Sequence, residues 1–444
     1  MNARGDNYTF LTTGPVGRVI ARMAVPTIIS MLVTSVYNIV DTYYVGLINT
    51  QATAAVGVAF PLQSVIQAIG FFFGQGSGTY ISRQLGAKKH ADACQMASTA
   101  FVGAMVAGVV IAVAGLLLLT PISVWCGSTP TILPYTEKYL AMVLLGAPFM
   151  TGSMLLNNQM RFQGNAANAM YGMMTGAVLN VVLVPIFTFT LGMGILGTGI
   201  GTVLSQIFGF VVLLVMSYHG DNIHIKLKDA CWKRHYYVEM IKGGTPSLTR
   251  QGLAAVAVML LNLAAGVYGD AAIAGMSIVG RLCFLVFAVI IGVGQGFQPF
   301  CGFNYGARLF GRVRQGYFFC VKLDMCILAV CCIPGFIFAS ELIDLMRHDP
   351  EVVAVGAAAL RWQIVTWPLA AVITVSNMCL QTSGRTVPAN ILAACRNGLC
   401  FIPLILTLPH LLGLLGVEIT QSVADVFSFA IAVPLMSRYF KSLK

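Results

Sequence analysis

The chain has 444 residues, of which 57% are hydrophobic and only 9% are charged, and its formal net charge is +11. Soluble domains carry roughly 25% charged residues, so this composition excludes a soluble globule and indicates a protein of the lipid bilayer. The positive charge is spread over many short polar segments. It therefore gives no reason to expect a nucleic-acid partner.

Apolar runs of about 20 residues recur along the whole chain, and a helix of that length crosses about 30 Å of hydrocarbon. The expected fold class is therefore an all-α integral membrane protein that is surrounded by lipid. Twelve transmembrane helices are predicted, at 19–40, 53–77, 93–118, 136–157, 169–190, 195–217, 244–266, 273–296, 315–338, 353–378, 388–408 and 413–436.

The first predicted span carries an acidic residue, Asp41, at its end. Thr34, Tyr37, Asn38 and Asp41 follow helical spacing and form one polar stripe on an otherwise apolar helix. A carboxylate in mid-membrane costs about 3 kcal/mol, which makes it a functional candidate by default. On the pattern alone two interpretations stay open. Asp41 is a functional group, or it marks the outer end of the span.

The second half of the chain repeats the first half at a fixed offset of 220 residues. The matched positions include Pro26 and Pro246, Gln75 and Gln295, Asn157 and Asn377, and Gly164 and Gly384. Two tandem copies of six spans insert with the same topology. They predict two six-helix lobes that are related by a pseudo-two-fold axis along the membrane normal, with a cleft between them.

Three domains are expected: an N-terminal lobe at 1–217, a polar linker at 218–242 and a C-terminal lobe at 243–444. Basic residues concentrate on the side of the termini and the linker, and Lys138 and Arg347 alone lie on the other side. By the positive-inside rule, both termini and the linker are expected in the cytoplasm. The expected location is the plasma (inner) membrane, as a multi-pass protein.

A substrate site is expected in the cleft, where spans one, two, seven and eight line it. Its polar candidates are Tyr37, Asn38, Gln63 and Gln67 from the first copy, and Arg250, Asn262 and Arg281 from the second. For Gln63 and Gln67, a hydrogen bond between helices is an equally open interpretation. Arg281 would repel a cationic compound, so an alternative is that it pairs with an acid such as Asp324 or Asp425.

No metal and no cofactor is expected. Gly192, Gly194 and Gly197 match G-x-G-x-x-G, but no strand precedes them, so a tight turn is predicted and not a dinucleotide site. The 12 cysteines include no C-x-x-C pair, and most lie inside apolar spans. They are expected to be small apolar core residues and not metal ligands or disulfides.

Several segments carry a resemblance to a known family. They are SVYNIVDTYYVG with Pro26 upstream, GQGSGTYISRQLGAK from Gly74, GGTPSLTRQ from Gly243 and GFQPFCGFNYGA from Gly296. The chain resembles the multidrug and toxic compound extrusion (MATE) family, most of all its DinF/MepA-like branch, over nearly its whole length. The resemblance implies twelve helices in two lobes. It also implies export of amphipathic, often cationic, drugs or toxins in exchange for protons or sodium. The protein is expected to function as a monomer.

The resemblance also implies roles for particular residues. It implies that Asp41 binds the coupling ion in the N-terminal lobe and that Pro26 bends the first helix. In the fifth helix, the family has an Asn followed four residues later by an Asp; here these positions are Asn180 and Val184, so the second acid is missing. Thr202 matches a polar position of the same cluster.

The missing acid bears on the coupling ion. A sodium site loses one hard oxygen ligand, whereas a lone desolvated acid can still bind and release a proton. The second copy has Leu261 at the position of Asp41, so the ion site is expected in the N-terminal lobe alone. The hypothesis is proton antiport: Asp41 takes a proton from outside, the helix bends at Pro26, and the drug leaves. Sodium coupling is the alternative.

Three other functions fit the sequence less well. A lipid-linked precursor flippase shares this two-lobed fold, but extra spans and a strongly basic cavity would be expected. A channel would need a filter-like sequence. A membrane enzyme would need clustered carboxylates, histidines or serines near an interface, and the six histidines are scattered. Efflux is therefore the expectation, and an enzyme is not.

Overall fold

The computed structural model describes residues 4–219 and 223–443, and within those ranges the chain is helical with no strand. Twelve helical segments there are long and apolar enough to cross a membrane. They are α2 (Val16–Gly46), α3 (Thr50–Gly86), α4 (His90–Leu117), α6 (Leu133–Phe162), α7 (Ala166–Pro185), α8 (Gly194–Tyr218), α9 (Arg234–Gly266), α10 (Asp270–Gly306), α11 (Phe310–Ile337), α13 (Pro350–Thr382), α14 (Thr386–Ala394) continued by α15 (Phe401–Leu412), and α16 (Leu414–Lys441). The shorter α1 (Arg4–Thr13), α5 (Leu119–Trp125) and α12 (Ala339–Met346) lie between or before them.

The predicted number of spans is confirmed, but the helices are longer than the apolar runs. The second span, predicted at 53–77, is the helix Thr50–Gly86, and the first helix continues to Gly46. Hydropathy detects only the apolar middle of a helix, whereas the polar ends extend it into the interface. For the same reason, part of the predicted linker is helical, because α9 begins at Arg234.

The sequence repeat is also a repeat of contacts. Asn157 of α6 donates from Nδ2 to the carbonyl oxygen of Ala169 at 3.0 Å. Asn377 of α13 donates in the same way to Ala389 at 2.7 Å. Each pair joins the fourth span of its lobe to the start of the fifth. The two lobes therefore fix the same pair of helices with the same hydrogen bond.

The lobes contact each other at the end of the bundle that holds both termini and the linker, which we call the terminal end. Glycines let helix backbones meet there without side chains between them. A Cβ on Gly296 of α10 would collide with Ala24 of α2, and one on Gly86 of α3 would collide with the carbonyl of Phe303. The helices of the two lobes are therefore in backbone contact.

Polar side chains also join the lobes at the terminal end. Arg83 of α3 donates from Nη1 to the carbonyl oxygen of Thr382 at 3.2 Å, and its Nη2 lies 3.2 Å from a carboxylate oxygen of Glu239 on α9. Gln298 of α10 donates to Gln75 Oε1 of α3 at 3.1 Å. These contacts close the terminal end.

The opposite end of the bundle, which we call the far end, is different. In the described part of the chain, no hydrogen bond, ion pair or glycine contact joins the lobes through the far halves of α2, α3, α9 and α10. Among the described residues, the hydrogen bonds, ion pairs and glycine contacts between the lobes therefore lie at the terminal end.

Candidate functional site

Asp41 lies inside α2, more than one turn before the helix ends at Gly46. Its Oδ1 is buried and has no hydrogen-bond partner among the described residues. Tyr37, one turn earlier, and the buried Tyr139 of α6 lie within electrostatic range of this carboxylate. The side chain of Asn38 lies outside the described residues, so its role stays a prediction. Tyr139 was not a candidate, because nothing in the sequence of its span distinguishes it.

The structure brings Asn180 and Thr202 together. Both are buried, with 2% of each residue exposed, and Asn180 Nδ2 donates to Thr202 Oγ1 at 3.3 Å. The bond joins α7 to α8. Asn180 Oδ1 has no hydrogen-bond partner among the residues that the structure describes. The interior of the N-terminal lobe thus contains a second acceptor oxygen without a donor.

Val184 packs where the family resemblance implied an acid. It is fully buried, and a Cβ on the facing Gly201 of α8 would collide with the Val184 backbone. A π-helical turn, Ile186–Thr190, follows directly, and Thr188 Oγ1 lies 2.9 Å from Thr198 Oγ1. Because α7 and α8 meet so closely here, the second carboxylate is replaced by tight apolar packing and not by another polar ligand.

Pro26 lies in the first half of α2, and the helix runs through it without a break. Proline has no N–H, so the carbonyl oxygen of Arg22 lacks its helical partner. Ser30 Oγ donates to the carbonyl oxygen of Pro26 at 2.9 Å. The backbone hydrogen bonding of α2 is therefore interrupted at one point, in the half of the helix that contacts the other lobe.

A small cavity of about 40 Å³ lies among α2, α3, α6 and α7. This N-lobe cavity has room for a few water-sized groups and must widen to reach the volume of a ligand pocket, about 300–1,000 Å³. Its polar lining consists of Thr27, Ser30, Thr34, Gln67, Asn157 and Arg161. Of the first-copy candidates with described side chains, Gln67 alone lines it. Neither Gln63 nor Gln67 forms a hydrogen bond with a described residue, so nothing here supports the helix-to-helix alternative.

Arg161 is a lining residue that sequence reasoning missed. The fourth span was predicted at 136–157, which left Arg161 in the following loop. The helix α6 continues to Phe162 and buries the arginine, with 2% exposed. A signal was present, because the 220-residue offset places Arg161 at the position of Gln381, another polar residue at the end of a span.

The second-copy candidates are dispersed. Arg250 of α9 donates from Nη1 to Asn377 Oδ1 at 2.9 Å, and so holds the residue that also bonds to Ala389. Asn262 and Arg281 are exposed. The structure does not bring these three side chains together.

The alternative in which Arg281 pairs with Asp324 or Asp425 is wrong for the described chain. Asp425 of α16 is bound instead by Arg396, with Nε and Oδ1 2.8 Å apart. Arg396 belongs to the π-helical turn Cys395–Leu399 between α14 and α15, which directs it toward α16. Asp324 is fully buried in α11, and neither of its carboxylate oxygens has a partner among the described residues.

Twelve spanning helices in two repeated lobes that contact each other at one end are typical of alternating-access transporters. The MatE family model matches residues 26–186 and matches again at 246–407, so the chain belongs to the MatE family of transporters. The two matches begin at 26 and 246, which is the offset of the sequence repeat.

Curated relatives and solved structures agree with this assignment. The multidrug export protein MepA of Staphylococcus haemolyticus is 28% identical, and the alignment covers 95% of this chain and 93% of that protein. MepA of Staphylococcus aureus is 26% identical, and the alignment covers 95% of this chain and 94% of that protein. A multidrug resistance MATE transporter solved in an outward-facing conformation is 25% identical, has a TM-score of 0.91 and covers 98% of both chains. A MATE structure in a bent conformation shares the fold with a TM-score of 0.92, at 23% identity.

Proposed function

We propose that the protein is a secondary active antiporter that exports amphipathic organic compounds in exchange for protons. The two staphylococcal relatives are multidrug export proteins, which supports small organic compounds as the cargo. The basic residues at the terminal end support a cytoplasmic location for that end in the inner membrane. The contacts that join the lobes at the terminal end then support a state that releases cargo to the outside.

The observation that carries the proposal is that Asp41 and Asn180, both implied by the family resemblance, each have an acceptor oxygen without a donor in the described part of the chain. Asp41 Oδ1 and Asn180 Oδ1 are both buried and both lack a partner among the described residues. A buried acceptor left unsatisfied costs about 1–3 kcal/mol, and more when it is charged. Such a cost is tolerated in membrane helices at sites that bind and release ions.

The surroundings favour a proton over sodium. A proton needs one carboxyl group, and Asp41 supplies it. Sodium needs several oxygen ligands, and Val184 offers only apolar surface where a second carboxylate would stand. In the second copy, Leu261 occupies the position of Asp41.

Pro26 links ion binding to the cargo. Thr27, Ser30 and Met31, which line the N-lobe cavity, follow Pro26 within two helical turns on α2. Asp41 lies on the same helix, beyond the interrupted hydrogen bond. A bend at Pro26 that follows protonation of Asp41 would therefore move lining residues and reduce the cavity, which drives the cargo out toward the far end.

Transport in proteoliposomes tests the proposal. Ethidium movement is measured under an imposed pH gradient without sodium, and then under a sodium gradient without a pH gradient. We expect the pH gradient alone to drive transport, and Asp41→Asn to lose it because the amide cannot cycle a proton. The control is Asp344→Asn, which removes an exposed acid that pairs only with His348 on the surface.

Two results would contradict the proposal. If Asp41→Asn transports as well as the parent under a pH gradient, Asp41 does not carry the proton. If the sodium gradient alone drives the parent, the coupling ion is sodium.

A further inference from the structure

Arg161 is a buried cation that pairs with no acid among the described residues. Its side chain donates from Nη2 to Asn158 Oδ1 at 2.6 Å and from Nη1 to Gln295 Oε1 at 2.5 Å. Its Nε has no hydrogen-bond partner among the described residues. Arginine stays protonated in proteins, and buried charges are normally paired with an opposite charge. Here both partners are neutral amides, so the charge of Arg161 is not compensated.

The uncompensated charge faces the N-lobe cavity. Arg161 is part of the lining, together with hydroxyl, amide and apolar side chains, and no aspartate or glutamate belongs to that lining. The cavity therefore combines apolar surface with one fixed positive charge. A compound that carries only positive charge is disfavoured there. A carboxylate is favoured, because it can accept two parallel hydrogen bonds from a guanidinium.

We infer that Arg161 binds a carboxylate group of the exported compound, and that Gln295 displaces this carboxylate when the terminal end closes. The inference rests on the proposed export function and adds a substrate class to it: amphipathic acids and zwitterions.

The displacement follows from the position of Gln295. Gln295 belongs to α10 of the C-terminal lobe, whereas Arg161 and Asn158 belong to α6 of the N-terminal lobe. Gln298, one turn further along α10, makes a second hydrogen bond between the lobes, to Gln75. When the lobes separate at the terminal end, Gln295 leaves and Nη1 becomes free for a cargo carboxylate. When they close, the amide oxygen returns to Nη1, and the cargo is released toward the far end.

The second copy of the repeat has no arginine at the position equivalent to Arg161. Gln381 stands at the position of Arg161, 220 residues on. Its Nε2 donates to the carbonyl oxygen of Gly243 at 2.7 Å and to Ser247 Oγ at 2.8 Å, both within its own lobe. The fold therefore accommodates a glutamine at this position, which makes Arg161→Gln a conservative test.

The test compares two dyes that differ only in the acid. Rhodamine B carries a free carboxylate, and its ethyl ester is a plain cation of nearly the same shape. Binding of each dye to the purified protein in detergent is measured by fluorescence anisotropy, and export is measured in proteoliposomes. We expect Arg161→Gln to weaken rhodamine B binding by about ten- to hundredfold, the range for a lost charge-assisted hydrogen bond. Binding of the ester should not weaken, because the variant removes a positive charge that repels it.

A second variant isolates the role of Gln295. Gln295→Met removes the competing amide oxygen and keeps the length of the side chain. We expect tighter rhodamine B binding and slower rhodamine B export, with the ester unaffected in both assays. Thermal unfolding of each variant in detergent controls for misfolding.

The outcomes separate the inference from the proposed function. The inference is wrong if Arg161→Gln weakens the binding of both dyes equally. It is also wrong if the parent protein binds rhodamine B no better than the variant does. Neither result depends on which compounds are exported. If the acid binds through Arg161 but no dye is exported, the carboxylate site stands and the export proposal fails. If Gln295→Met leaves rhodamine B binding and export unchanged, the displacement step is wrong.

Discussion

Arg83 offers a direct measurement of how firmly the terminal end is closed. This arginine of α3 contacts the C-terminal lobe twice, at the carbonyl oxygen of Thr382 and at Glu239. Arg83→Met removes both contacts and keeps the length of the side chain. We expect the closed state to lose stability relative to the state that is open at the terminal end.

The magnitude follows from the two contacts. Hydrogen bonds to charged groups contribute about 1.5–3 kcal/mol each. The lower value applies to the Glu239 contact, because both side chains are partly exposed, at 14% and 18%, and Glu239 keeps Lys242 as a partner at 3.1 Å. We take about 2 kcal/mol for the pair, because the methionine regains some apolar contact. At 1.4 kcal/mol per factor of ten, the open population rises about thirtyfold.

Thiol labelling measures that population. Ser82 of α3 is fully buried and faces Gly302 of α10 from the other lobe, so Ser82→Cys places a nearly isosteric reporter inside the closed interface. We expect a membrane-impermeant maleimide to label this cysteine about thirtyfold faster when Arg83→Met is added. The control is Arg385→Met, which removes an exposed arginine whose hydrogen bond to Ser442 stays within the C-terminal lobe. Equal labelling rates with and without Arg83 would show that these contacts do not hold the lobes together.

Two further predictions concern packing and charge. Gly296→Val should block closure at the terminal end, because the valine side chain would collide with Ala24. We expect dye export to fall at least tenfold. The control is Gly252→Val, where the added side chain meets open space and export should stay normal. Arg396→Leu should lower the free energy of unfolding by about 3–5 kcal/mol, because Asp425 is only 1% exposed and loses its cation. Adding Asp425→Leu should restore most of that loss in denaturant titrations, and a double variant as unstable as the single one would contradict the reasoning.

The architecture was accessible from the sequence because two strong signals agreed. Hydropathy gave the number of spans, and the 220-residue offset gave their grouping into two copies. Helix ends were less accessible, because residues such as Arg161 extend a helix beyond its apolar part. An arginine next to an apolar run is ordinarily a topology signal, and only the packing of the neighbouring lobe shows that this one is buried.

The candidate site was predictable only in part. Asp41 stood out as an acid in an apolar helix, and Asn180 and Thr202 followed from the family resemblance. Their hydrogen bond depends on how α7 meets α8, which no periodicity encodes. The partner of Arg281 was predicted wrongly for the same reason. The positions of charged residues along the sequence do not show which cation lies beside Asp425. Arg396 lies there because its π-helical turn directs it toward α16.

The glycines of the terminal end set limits on how this protein can change. Gly86 and Gly296 bring bare backbones together, so at these two positions no side chain stands between the lobes when they close. A side chain added at either glycine would collide with the other lobe, so substitution there obstructs closure. The cavity, by contrast, is lined by side chains, several of them apolar. We therefore expect new cargo preferences to arise in this protein through substitutions in the cavity, while Gly86 and Gly296 stay unchanged.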